Sequence, residues 1–216
     1  MTRVLIVEDH RLVSQGLELG LRAEGFEVAS TDGAPAALPA LLARFAPDVV
    51  LLDLYLADGL SGISLVPMLR APGRTVIVLT AETEPTILAR ALEAGADAVL
   101  GKTVPFPQLI REIVAIPRGQ SVEAGIRRSQ VMHEARVAAQ ERSRRLAPFA
   151  ALTPREEAVL SMLVDGILAA DIAEASYVSL STVRSQIRSI LAKLGVGSQL
   201  AAVSLAIKAG WMPRPR

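Results

Sequence analysis

Along the first half of the chain, short runs of consecutive apolar residues alternate with stretches in which apolar residues recur every three or four positions. The runs, at residues 3–7, 27–30, 49–52, 75–79 and 98–100, predict strands, and the intervening stretches 12–24, 34–45, 64–70, 86–94 and 106–116 predict helices. Val4-Leu5-Ile6-Val7, Val49-Val50-Leu51-Leu52 and Val76-Ile77-Val78-Leu79 lack polar alternation, which is the pattern of parallel strands covered on both faces. Gly25, Gly95 and the Ala46-Pro47 pair mark turns at which helices stop and strands begin. The whole predicts a doubly wound, parallel five-stranded α/β domain of flavodoxin-like type.

The second half has helical periodicity only. Residues 121–146 lack proline, are rich in Ala, Arg, Glu and Gln, and place Ile126, Val131 or Met132, and Val137 at loosely helical intervals, so one or two amphipathic helices are expected. Such a segment is a solvated charged helix or a signalling or dimer-forming one. Beyond it, Thr153 is a good N-cap, Pro154 fits the first helical position and Glu156 completes a capping box. Val159, Leu160 and Leu163 form an apolar face that ends at Gly166. A second short helix is expected at 169–175, a third from a cap at Ser179 or Ser181 to Leu194 with Gly195 as its stop, and a fourth at 200–209. The expected organisation is an α/β domain at 1–117, a helical linker at 118–147 and a small all-α domain at 148–216.

Charge sharpens this division. Residues 1–117 carry 9 Lys/Arg against 14 Asp/Glu, a net of −5, whereas residues 118–216 carry 14 against 8, a net of +6. Only the basic half suits an anionic partner such as nucleic acid. The 216 residues contain no cysteine, which excludes disulfides, thiolate metal sites and cysteine nucleophiles. The chain opens on a strand without a basic, then apolar leader, and no apolar run reaches membrane-spanning length, so a cytoplasmic protein with no membrane partner is expected.

Parallel strands share a direction, so their C-terminal ends bring functional groups to one edge of the sheet. Strand one delivers Glu8 and Asp9, strand three Asp53, strand four Thr80, and strand five is followed by Lys102. Three carboxylates at one edge repel one another, and a hard divalent cation such as Mg²⁺ between them relieves that repulsion. The set suits phosphoryl transfer to Asp53 as nucleophile. Glu8, Asp9, Asp53 and the Tyr55 backbone carbonyl would hold Mg²⁺, Lys102 would pair with developing charge, and Thr80 would bond a phosphoryl oxygen. Taken singly each group has an ordinary reading: an acid opening a loop, a surface lysine, a threonine capping a helix with Glu82 and Glu84 at its N-terminus.

In this order the groups resemble the receiver domain of bacterial two-component response regulators. The resemblance runs from residue 1 to about 117 and rests on Glu8-Asp9, Leu51-Leu52-Asp53-Leu54, Leu79-Thr80-Ala81, Glu93-Ala94-Gly95-Ala96-Asp97-Ala98 and Gly101-Lys102. It implies a histidine kinase as the source of the phosphoryl group and a receiver that catalyses the transfer onto its own aspartate with Mg²⁺. Three positions depart from the family pattern. Ala57 stands where proline is common, Thr103 and Val104 precede Pro105, and Val99 takes the place of the usual aromatic switch residue. The first alters loop stiffness, and the last implies a different coupling to output.

In the basic half, a tight connection between the second and third helices predicts a helix-turn-helix whose third helix is the reader. Arg184, Ser185 and Arg188 lie on one face of it, with Lys193 further along, while Val183, Ile187, Ile190, Leu191 and Leu194 can face a core. Basic residues one turn apart suit phosphates and guanine edges. The fuller series Leu152-Thr153-Pro154-Arg155-Glu156, Val159-Leu160, Gly166, Asp171-Ile172-Ala173, Val178-Ser179, Ser181-Thr182-Val183-Arg184 and Ile190-Leu191-Ala192-Lys193-Leu194-Gly195-Val196 resembles the LuxR-type DNA-binding domain. That resemblance implies a homodimer on inverted repeats of double-stranded DNA, with Arg184, Ser185 and Arg188 as principal contacts and Lys193 on the backbone. Ser176 replaces a leucine, and a serine fully buried there would cost on the order of 2–5 kcal/mol. Gln186 replaces a histidine, and Ile167 and Leu168 are expected to be exposed.

The combined reading is a transcription regulator controlled by phosphorylation of Asp53. One alternative is a regulator whose output is independent of Asp53, which Val99 favours. Another is a Mg²⁺-dependent phosphatase, against which stands the lack of a general acid close after Asp53, where the chain has Tyr55 and only later Asp58.

Overall fold

The structure is a computed structural model and describes residues 1–213. It divides into two compact units, 1–136 and 137–216. In the first, strands β1 (Arg3–Val7), β2 (Glu27–Thr31), β3 (Val49–Leu52), β4 (Thr75–Thr80) and β5 (Ala98–Gly101) alternate with helices α1 (Arg11–Ala23), α2 (Leu38–Phe45), α3 (Gly62–Leu69), α4 (Pro85–Glu93) and α5 (Phe106–Ala115). All pairings are parallel, in the order β2-β1-β3-β4-β5. The expected doubly wound fold is therefore present, and the expected strands differ from the observed ones by at most one residue at an end.

The uninterrupted apolar strands divide their side chains between two cores. Leu5, Val7, Val50, Leu52, Val76 and Val78 belong to one cluster, while Val4, Ile6, Val49, Leu51, Ile77 and Leu79 belong to the other. This two-sided burial is what the lack of alternation demands. It fixes the register, since a slip of one residue would exchange the two faces. The register sets Thr80 opposite Gly101 and Leu52 opposite Val7, so the polar residues that follow emerge together at the C-terminal edge. Gly62 is required at the start of α3, because a Cβ there would lie 2.0 Å from the carbonyl oxygen of Asp53.

The segment expected to be one or two helices is a single helix, α6 (Val122–Leu146). Its seam differs from the expected one. Ala124 and Val131 are buried, with Met132 and Ala135 partly so, whereas Ile126 and Val137 are exposed. Positions 124, 131 and the partly buried 135 follow the heptad-like spacing of a narrow stripe, which the other apolar residues had masked in the sequence.

The second unit contains α7 (Pro154–Val164), α8 (Ala169–Ala175), α9 (Leu180–Leu194) and α10 (Gln199–Ala209) around one core. The capping box at Thr153 and Glu156 is formed as read, and Ser179 rather than Ser181 caps α9. Between α8 and α9 the chain turns through Tyr177 in the left-handed region, with φ 53°. Ser176 is only half-buried, and Val178 and Leu180 pack against the core beside it, so the cavity cost expected of a buried serine does not arise. Ile167 and Leu168 are exposed as expected. No single helix among the described residues is long and apolar enough to cross a membrane.

One buried carboxylate ties this unit together. Glu156 accepts from Ser189 Oγ at 2.6 Å, from Lys193 Nζ at 2.7 Å and from the Thr153 backbone N–H at 2.7 Å. Burial favours the neutral acid, but these donors outweigh it and lower the carboxyl from 4.5 to about 2. A depressed acid stabilises the fold fully above its unfolded value and loses that contribution as pH falls through the folded one. Lys193→Ala is therefore expected to cost about 1–3 kcal/mol near neutral pH and to move acid unfolding to higher pH, as measured by urea denaturation over a pH series.

Candidate phosphoacceptor site and nucleic-acid interface

At the C-terminal edge of the sheet the chain gathers Glu8, Asp9, Asp53, Thr80 and Lys102. Glu8, Asp53 and Thr80 are almost fully buried. Lys102 Nζ lies 2.6 Å from Glu8 Oε2 and 2.8 Å from Asp53 Oδ2, so one ammonium, following the edge strand β5, bridges two carboxylates that follow the adjacent strands β1 and β3. Burial works against the charged ammonium, yet the bonds to Asp53 and Glu8 prevail and raise its pKa. The other Asp53 oxygen, Oδ1, accepts the Leu54 N–H at 2.7 Å. Asp53 is thus an oriented carboxylate with an adjacent cation.

His10, which directly follows the acidic pair, belongs to the cluster as well. Its Nδ1 is 2.9 Å from Glu8 Oε1 and 3.0 Å from Asp9 Oδ1. The hydrogen bond with Glu8 and the charge of Asp9 raise the imidazole pKa, although the ring is exposed. Glu8, Asp9, His10 and Asp53 each offer a ligand atom, all within 4.8 Å of one another. Asp9 Oδ1 is enclosed and, beyond the approach of His10 Nδ1, has no hydrogen-bond partner, which leaves an oxygen suited to a cation. The cluster can hold a divalent metal ion. An open cleft lined by Glu8, Asp9, Arg11, Gln15 and Asp32 adjoins it and gives access from solvent.

Two loops meet over this edge. Thr80 Oγ1 accepts the Glu82 N–H at 3.1 Å, and Glu82 in turn accepts the N–H groups of Thr83 and Glu84 and the phenol of Tyr55. That hydrogen bond lowers the Glu82 carboxyl and raises the Tyr55 phenol. Tyr55 was singled out for its backbone carbonyl, while the partnership of its side chain with Glu82, 27 residues away, had no signal in the sequence. Val99 is 4% exposed and packs in the core on the side of α4.

In the basic half, Val183, Ile187, Ile190 and Leu194 bury one face of α9, and Arg184, Ser185 and Arg188 stand exposed on the other. The structure keeps these three together. Lys193 departs from them: its ammonium turns towards Glu156, because the buried carboxylate requires a donor. Ser189, not singled out in the sequence, completes that network.

The response regulator receiver domain family matches residues 4–114, and the luxR family of bacterial regulatory proteins matches residues 150–206. The nitrate/nitrite response regulator protein NarP of Escherichia coli is 34% identical, over 95% of this chain and 94% of that protein. The DNA-binding transcriptional activator DevR/DosR of Mycobacterium tuberculosis is 30% identical, over 95% and 94%. The structure of RcsB from Salmonella enterica serovar Typhimurium bound to promoter rprA with the phosphomimetic BeF3⁻ is 24% identical, with a TM-score of 0.52 over 94% of this chain and 97% of that one, a likeness of fold.

The geometry of the acidic cluster makes a direct prediction. A divalent cation raises the melting temperature of the first unit in the intact protein, by an amount that grows with its concentration, and Asp9→Asn removes most of that rise. Differential scanning calorimetry over a cation titration measures it, and at about ten times Kd the gain is about 1.4 kcal/mol.

Proposed function

Because this chain belongs to the bacterial response regulators that join a receiver domain to a luxR-family DNA-binding domain, we propose that Asp53 is its phosphoacceptor and α9 its DNA reader. It is a phosphorylation-controlled, DNA-binding transcriptional regulator whose phosphoryl group comes from a histidine kinase. Its catalysis is confined to its own phosphorylation and dephosphorylation. The observation that carries the site reading is the Lys102 ammonium placed 2.8 Å from Asp53 at the open edge of the sheet.

In this reading residues 1–117 are the receiver, 118–147 the linker and 148–216 the DNA-binding domain. Glu8, Asp9 and Asp53, with the Tyr55 carbonyl, would hold Mg²⁺, which when bound would supply charge that neutralises phosphoryl oxygens. Asp53 Oδ2 attacks the phosphorus of the donor phosphohistidine in line, and the imidazole departs with the bonding pair. Lys102 leaves Glu8 for the charge that accumulates on the phosphoryl oxygens. Thr80 donates a hydrogen bond from its hydroxyl to one of those oxygens, which its Oγ1 can do while it accepts the Glu82 N–H. The chemistry needs no further acid, since the leaving imidazole takes its proton from solvent.

On the DNA side, Arg184, Ser185 and Arg188 reach base edges and phosphates of double-stranded DNA, and two copies related by a twofold axis read an inverted repeat. Lys193 serves the backbone from the base of the same helix, subject to its bond with Glu156. The cytoplasm is the compartment in which the kinase's phosphohistidine and DNA are both reached. One observation favours a second reading in which output does not depend on Asp53: β5 carries the compact Val99, with no ring to change places when Thr80 moves.

Purified protein with Mg²⁺ and beryllofluoride decides between them. Wild type is expected to gain dimer fraction and DNA affinity while Asp53→Asn gains neither, by analytical ultracentrifugation and fluorescence anisotropy. An unresponsive wild type establishes the second reading. Arg188→Ala is expected to weaken DNA binding and to lower the slope of log affinity against log salt by about 1 if it contacts phosphate.

A further inference from the structure

Histidine occurs twice in this chain, at His10 and His133, and cysteine not at all, so these two residues are the only sources of an imidazole or thiolate ligand. His133 lies exposed on α6 and belongs to no group of acids and imidazoles able to hold an ion among the described residues. His10 is placed differently. Its backbone N–H donates to Glu8 Oε1 at 3.1 Å, which fastens it to the acid two positions before it, and its Nδ1 lies 2.9 Å from that same oxygen and 3.0 Å from Asp9 Oδ1. Neighbouring ligands of a six-coordinate ion with bonds of about 2.1 Å stand about 3.0 Å apart, which is the spacing found here. Lys102 leaves these atoms alone, since it holds Glu8 Oε2 and Asp53 Oδ2.

We propose that His10 Nδ1, Glu8 Oε1 and Asp9 Oδ1 form a site for divalent transition ions such as Zn²⁺, Ni²⁺ and Co²⁺, and that such an ion competes there with Mg²⁺. The proposal rests on the reading of these acids as a cation site and adds a nitrogen ligand that decides which ion the site prefers. Imidazole is a good donor to the transition ions, whereas Mg²⁺ is a hard ion that takes oxygen ligands and keeps several waters. One nitrogen among the donors therefore strengthens binding of the first class and does little for Mg²⁺. The ring is two-thirds exposed, so with Nδ1 on the ion it can give the Nε2 hydrogen to water. Asp9 Oδ1, enclosed and approached only by His10, gains in the ion the partner it otherwise lacks. Because Glu8 and Asp9 serve both ions, occupancy by one excludes the other.

The test is isothermal titration calorimetry of the tag-free, full-length protein with Zn²⁺ and separately with Mg²⁺, on wild type, His10→Ala, His133→Ala and Asp9→Asn. Imidazole NMR spectra of the wild type are recorded as Zn²⁺ is added. Zn²⁺ is expected to bind more tightly than Mg²⁺ and to be weakened by excess Mg²⁺. His10→Ala should lower Zn²⁺ affinity about tenfold more than Mg²⁺ affinity, His133→Ala should change neither, and Asp9→Asn should weaken both. The ring nitrogens of His10 should shift with Zn²⁺ while those of His133 stay in place. Equal losses for the two ions in His10→Ala overturn the proposal, as do His10 resonances unmoved at Zn²⁺ saturation, Zn²⁺ held through His133, or Zn²⁺ binding that Mg²⁺ does not oppose. In each of those cases a Mg²⁺ affinity that falls in Asp9→Asn leaves the reading of the acids as a cation site standing. A Mg²⁺ affinity unchanged in Asp9→Asn, or no binding of either ion to wild type, overturns both. If a variant fails to fold, the wild-type spectra and the Mg²⁺ competition decide.

Discussion

The Lys102 ammonium between Glu8 and Asp53 is the interaction on which the first unit depends. Two carboxylates buried at one sheet edge repel with an energy on the order of 4 kcal/mol for unit charges 4 Å apart at an effective dielectric of 20, and each pays a desolvation cost besides. One cation bonded to both, at 2.6 and 2.8 Å, offsets that repulsion. The same arrangement prepares the chemistry. The cation is held by groups that a phosphoryl oxygen can replace, while Asp9 retains an enclosed oxygen approached only by the exposed His10 ring. Stability and reactivity therefore draw on the same charges, and the sheet register is what brings them within reach of each other.

The second unit solves a related problem to a different end. Glu156 is buried at the start of α7 and is satisfied from three directions, by its own cap and by Ser189 and Lys193 of α9. A buried carboxylate so fully bonded fixes the relation of two helices, because any shift leaves a charge without a partner. The consequence is that α9 presents Arg184, Ser185 and Arg188 from a rigid support. Lys193 stands on that helix as a fastener before it can serve as a contact.

Thr80 and the end of β5 are linked by backbone pairing, the Lys102 N–H bonds the Thr80 carbonyl, and Val99 lies in the apolar cluster that also contains Val131. Tyr55 and Glu82 join the loops after β3 and β4 on the opposite side of the same threonine.

The strands and their two-sided burial were legible in the sequence because continuous apolar runs have only one stable setting, and the cap at Thr153 and stop at Gly195 because local hydrogen bonding and a positive φ of 66° dictate those residues. The order of acids, threonine and lysine was legible for a similar reason: parallel strands must end on one side. Which partners those groups take was not. That Lys102 spans Glu8 and Asp53, that Tyr55 meets Glu82, and that Lys193 turns inward to Glu156 depend on separations of 27 to 94 residues closed only by the fold. The seam of α6 was likewise hidden, since Ile126 and Val137 looked as suited to burial as Ala124 and Val131. Hydrophobicity says that a helix needs a neighbour, but only the shape of the surface waiting for it decides which side it turns inward.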